Sequence, residues 1–142
     1  MRNRREVLTN NHQRFRGEPM SENLSPQEII SIFIMSHEIM KKAMDEGNYR
    51  KNNKEAKKLS KFIAPLKEDL ELARYVYGEL LKADFVSVRS HAAIECLRMG
   101  IHTHESEQIL KELSKRNDIG VTRTACEMAL RLWRGEIPGK TL

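Results

Sequence analysis

Apolar residues along most of this chain recur at helical spacing and not in strict alternation. Ile29, Ile30, Ile32, Phe33, Ile34, Met35, Ile39 and Met40 make a broad apolar face, wide enough to predict a helix packed against two neighbours. Its start is marked by Ser25 as N-cap, Pro26 at the first helical position and Glu28 completing a capping box. Gly47 ends it, because glycine accepts the left-handed conformation just past a helix. A second, short helix is predicted over Tyr49 to Ile63, with Ala56, Leu59, Phe62 and Ile63 facing inward, and Pro65 breaks or kinks it. A third is expected from about Leu66 to Lys82, because Leu66, Leu70, Ala73, Tyr77 and Leu80 fall on one face.

The remainder repeats itself. Asp84-Phe-Val-Ser-Val-Arg89 and Asp118-Ile-Gly-Val-Thr-Arg123 are the same phrase 34 residues apart. A leucine-rich segment precedes each phrase, Val76 to Leu81 and Ile109 to Leu113. A helix of small residues follows each, Ala92, Ala93, Cys96 and Leu97, then Ala125, Cys126, Ala129 and Leu130. A fixed period of this length marks stacked helical hairpins, and small residues on the second helix of each let the backbones approach. Gly100 and Gly135 close the two units, and Pro138 follows.

The Asp-x4-Arg phrase resembles the turn of HEAT repeats, in which a short Asp-containing turn leads into a helix beginning Val-Arg. The fold expected is therefore all-α, with about six helices arranged as antiparallel hairpins stacked in a short HEAT-like solenoid. Asp84 and Asp118 are candidates to cap the following helices, where their charge also suits the helix dipole. Arg89 and Arg123, one turn further on, are placed to reach those aspartates or the neighbouring repeat. All four are read as a structural repeat motif, since a charged ladder between stacked hairpins needs no ligand.

Composition refines this picture without changing it. At 142 residues one domain is the default, assigned to residues 20–142 as a single HEAT-like helical domain. Residues 1–19 carry five Arg against two Glu and few apolar positions, and read as a disordered N-terminal extension. Met20-Ser-Glu-Asn looks like a natural beginning. The net charge of +5 is local: residues 41–67 hold nine Lys or Arg against three acids, while residues 68–142 are nearly balanced. With neither a membrane-length apolar run nor a secretory signal, the expected location is cytoplasmic, with Cys96 and Cys126 as free buried thiols.

Candidate chemistry is sparse. His102 and His104, with His91 and Glu105 near in sequence, suggest a metal pair, but no established ligand spacing supports it, and no metal or cofactor is expected. His37 falls in the apolar run of the first helix and reads as a core residue. Arg50, Lys51, Lys54, Lys57, Lys58 and Lys61 recur at helical spacing and could track a phosphate backbone. A solvated helix face is the plainer reading of such a run. No nucleophile–base pair, phosphate loop or carboxylate pair can be assembled, so the chain is not expected to be an enzyme.

A second resemblance is carried by Gly47-Asn-Tyr-Arg-Lys-Asn-Asn-Lys54 with Lys57-Lys58-Leu59, the Asp84 to Leu97 unit, and Asp118-Ile-Gly through to Trp133. Over residues 24–134 the chain resembles a family of small bacterial helical proteins that are similar to immunity proteins of polymorphic toxin systems. The Arg-rich residues 1–19 depart from that pattern. The resemblance implies a non-catalytic protein-binding module that neutralises a cognate toxin domain by stoichiometric occlusion. Tyr49, Asn53, Lys54 and Lys58 are one candidate partner surface. Glu95, Arg98, Glu127 and Arg131, on the second helices of the repeats, are the other. A general HEAT-type scaffold and a nucleic-acid binder using the helix over residues 49–63 are the rival readings.

Overall fold

The computed structural model describes residues 24–142, so the N-terminal extension read over residues 1–19 lies outside the described residues. Those described form six α-helices and no strand: α1 (Pro26–Asp45), α2 (Tyr49–Ile63), α3 (Leu70–Leu80), α4 (Val86–Met99), α5 (Thr103–Ser114) and α6 (Val121–Trp133). A 3-10 turn, Ala64–Glu68, joins α2 to α3. None of these helices is long and apolar enough to cross a membrane. The chain divides into two compact units, with the boundary between Val76 and Tyr77 inside α3.

In the first unit, α1 opens as its sequence demands. The Glu28 amide donates to Ser25 Oγ at 3.2 Å, and the Ser25 amide donates to Glu28 Oε1 at 3.0 Å, satisfying two donors that a helix start leaves unpaired. At the other end Gly47, at φ +73°, reverses the chain: its amide donates to the Met44 carbonyl, and that of Asn48 donates to Ala43 at 2.7 Å. That pair of bonds is a Schellman closure, which needs a residue at positive φ. Asn48 then starts α2, its Oδ1 accepting from the Lys51 amide at 3.1 Å. The Gly-Asn-Tyr phrase is thus turn chemistry, a C-terminal closure and an N-cap back to back. Joined by so short a turn, α1 and α2 pack as an antiparallel hairpin.

Ile29, Phe33 and Ala43 from α1 and Leu59, Phe62 and Ile63 from α2 are buried. His37 is buried among them, its ring 5.1 Å from that of Phe33. Two expectations need correction. Ala56 is exposed, leaving Leu59, Phe62 and Ile63 as the inner face. The third helix begins at Leu70 and not at Leu66. Pro65 denies the backbone a donor, the chain tightens into the 3-10 turn, and Asp69 restarts the helix by accepting from the Leu72 amide at 3.2 Å. Leu66 is fully buried from the turn, while Leu70 is left 45% exposed.

In the second unit, α4 packs on α5, α5 on α6, and α4 also meets α6, a stacked helical arrangement with small residues where backbones approach. Ala92, Ala93 and Cys96 of α4 and Cys126 of α6 have no exposed surface. Both cysteines are free. Tyr77, Leu80 and Leu81 at the end of α3 are also buried. Gly100 and Gly135 close α4 and α6 with the same pair of bonds seen at Gly47.

Two details were not foreseen. His102 sits in the left-handed region at φ 45°, unusual for a non-glycine residue. A Cβ added at Gly78 would meet its Nε2 at 3.2 Å. A glycine inside α3 therefore gives that imidazole its space, at the cost glycine carries in any helix.

The repeated turns do not work as expected. Their helices start after Phe85 and Gly120 with no side-chain cap, because Asp84 and Asp118 lie upstream of the cap position. Asp118 instead accepts two bonds from Arg116, at 2.9 and 2.7 Å. The arginines ignore the aspartates and tie back to the end of the preceding segment. Arg89 donates to the Ala83 carbonyl at 3.2 Å. Arg123 donates to the Ser114 carbonyl at 3.1 Å and to Asn117 Oδ1 at 2.9 Å. In the repeat register, Ala83 and Asn117 are the same position, with a backbone oxygen replaced by a side-chain one. Arg89 is partly buried and Arg123 exposed. Arg89→Ala should therefore cost about 1–3 kcal/mol and Arg123→Ala under about 1 kcal/mol, compared by urea denaturation. Equal losses would show that exposure does not set the difference.

Candidate functional site

The first candidate surface is the outer side of α2. Tyr49, Asn53 and Lys54 are exposed there. Lys58 is not available in the same way. It is half-buried and pairs at 3.7 Å with Glu55, which also accepts from Ser36 Oγ at 3.0 Å. Lys58 therefore turns toward the α1–α2 hairpin, while Arg50, Lys54, Lys57 and Lys61 follow one another at steps of four, three and four residues on the far side. That spacing confines them to an arc of about 60°. None of the four forms an ion pair with another described residue.

The second candidate surface, on α4 and α6, is rearranged by the structure. Glu95 retains only 8% exposure, so it is an internal carboxylate and not a face residue. Arg98 donates to its Oε1 at 2.6 Å, and His91 Nε2 stands 3.8 Å from the same oxygen. Burial alone would raise this carboxyl, but His91 and the Arg98 guanidinium outweigh it and hold it below the ordinary glutamate range. Arg98, closer by more than an ångström, makes the firmer closure. Burial also pushes the Cys96 thiol beside it up to about 12, and the Tyr77 hydroxyl upward too. Arg98, Glu127 and Arg131 are exposed, but they do not form one row. In the 34-residue register, Glu127 corresponds to buried Ala93 and Arg131 to buried Leu97. The last described helix carries charge on the side that α4 uses for packing.

A row that the sequence reading missed lies on α6. Val121, Ala125, Met128 and Leu132 are spaced four, three and four residues apart. Val121 is 79% exposed, Met128 43%, and Ala125 is exposed as well. Its spacing groups Ala125 with the packing residues Cys126, Ala129 and Leu130, but the structure places it on this outer row instead. The equivalent positions of α4 are Ser87, His91, Ile94 and Arg98, so one repeat carries a mainly polar row where its successor carries an apolar one. The spacing was present in the sequence, but α6 is apolar over so wide an arc that periodicity does not say which part is covered.

His104 is exposed at the first turn of α5, while His102 lies against Gly78. No group of three or more His, Cys, Asp or Glu side chains that could hold a metal converges among the described residues. Compared with known proteins, the chain matches no family model, no curated protein and no solved structure.

Proposed function

We propose that this chain is a non-catalytic protein-binding module of the immunity type, which neutralises a bacterial toxin domain by covering it in a one-to-one complex. The observation that carries the reading is the apolar row on α6, in which Val121, Ala125 and Met128 are exposed and Leu132 is half-buried. A monomer gains nothing by presenting a large valine and a methionine to water on one ridge, and such a ridge rimmed by charge fits a protein partner. Glu127 and Arg131, exposed on the same helix, supply charge beside it. The resemblance noted in the sequence adds the toxin as partner. A general HEAT-type scaffold uses the same ridge with a different partner.

An occluding complex needs an interface of about 1,600 Å² and an affinity near nanomolar, about −12 kcal/mol. Co-expression with the toxin domain encoded beside it should yield a one-to-one complex and restore growth. Met128→Glu puts a charge at the centre of the ridge while changing no buried residue. It should weaken the complex roughly 100-fold, as for a central anchor, with an unchanged circular dichroism spectrum. Retained affinity in this variant removes the ridge from the interface. If the adjacent genes encode no toxin, the general scaffold replaces the immunity reading.

A further inference from the structure

We infer that the outer face of α2 binds the phosphate backbone of duplex nucleic acid without reading its sequence, independently of the protein-binding reading, which uses the other unit. Several bases on or just beyond the other helices are paired with a nearby acid. Lys41 pairs with Asp45 at 2.9 Å, Lys82 with Glu79 at 3.3 Å, Arg98 with Glu95 at 2.6 Å and Lys111 with Glu107 at 3.2 Å. Each partner is three or four residues away, the spacing that stabilises a helix.

The outer face of α2 does the reverse. Arg50, Lys54, Lys57 and Lys61 stand in one row with no acid among them, so Arg50 and Lys54, and Lys57 and Lys61, are like-charged neighbours one turn apart. Such pairs destabilise a helix. A face needed only for solvation would be served better by the mixed spacing seen at those pairs. The repulsion is relieved when anions settle along the row.

The geometry selects the anion. The four charges advance by about 6, 4.5 and 6 Å along a straight row of about 16 Å, which suits a continuous polyanion better than a single phosphate. The row carries no apolar side chain that could enter a lipid surface. Tyr49, the exposed aromatic of α2, lies about 100° around the helix from Arg50, so there is no platform for stacking unpaired bases. Contact with the backbone of a duplex remains, and its strength must fall steeply with salt.

The test uses the full chain and a labelled 20-base-pair DNA, followed by fluorescence anisotropy between 50 and 200 mM salt. Each neutralised contact should lower the slope of log K against log salt by about 1. Lys54→Gln/Lys57→Gln should therefore lower it by about 2 and weaken binding at least tenfold at 50 mM, with circular dichroism and melting temperature retained. Lys111→Gln/Lys140→Gln removes the same charge elsewhere and should leave the slope unchanged. Arginines in residues 1–19 contribute equally to every variant and cancel in the comparison. Absence of salt-dependent binding, or an unchanged slope in the Lys54/Lys57 variant, overturns the inference. So does displacement by polyglutamate as effective as by unlabelled duplex, which would assign the row to an acidic protein.

Discussion

Tyr77→Ala is expected to destabilise the protein by about 3–5 kcal/mol, the range for truncating a fully buried aromatic. Tyr77 is 1% exposed and is the largest of the fully buried side chains. It stands in the last turn of α3, within the second unit and near Glu95, Cys96 and Arg98. Close packing leaves no cheap way to refill so large a space. The melting temperature should fall on the order of 10 °C. Tyr77→Phe keeps the ring and deletes only the hydroxyl, and should cost about 1 kcal/mol. If the two variants lose equally, the hydroxyl and not the ring holds this region.

The same burial has a signature at high pH. Tyr77, Cys96 and Cys126 are acids whose neutral forms the fold favours, burial raising the two thiols to about 12 and about 11 from an ordinary 9. When unfolded, the thiols ionise near their ordinary value; when folded, they resist. The folded state then binds more protons, and stability falls as the pH rises past about 9.

Arg98→Met is the second large effect, and its dependence on pH is the informative part. Glu95 is held deprotonated in the interior by Arg98 and His91. Its lowered value contributes stability above the ordinary glutamate value of 4.5, lost as the pH falls through the folded value. Without Arg98 a buried carboxylate is left with His91 alone. Removal of one partner from a fully buried pair costs about 3–5 kcal/mol. Because the Arg98 side chain is 45% exposed, water screens part of this, and about 2 kcal/mol at pH 7.5 is expected. The loss should shrink toward pH 5, where the stranded carboxyl takes up a proton. Glu95→Met/Arg98→Met should recover most of it, since no charge then remains buried. Urea denaturation at both pH values decides this, and a loss independent of pH would mean that Arg98 acts through its packing alone.

What was legible in the sequence was local. The capping box at Ser25, the glycine closures at Gly47, Gly100 and Gly135, the bounds of α2 and the 34-residue repeat all depend on contacts within a few residues, so residue type and spacing determine them. The same holds for the basic row of α2, which turns away from a clear apolar stripe. The rest depended on what each face meets. Leu70 has the spacing of a core residue, yet the turn after Pro65 shifts the start of α3 and leaves it in water. Asp84 and Asp118 have the right chemistry for caps but stand upstream of the positions where the helices begin. Glu95 and Glu127 are alike as residues on the second helices of the repeats. One is closed over inside the second unit, while the other is exposed because no described helix packs against that side of α6. The row from Val121 to Leu132 follows the same logic: helical spacing marks a side chain as apolar and aligned, but only the packing of α4, α5 and α6 decides which part of a wide apolar arc is covered.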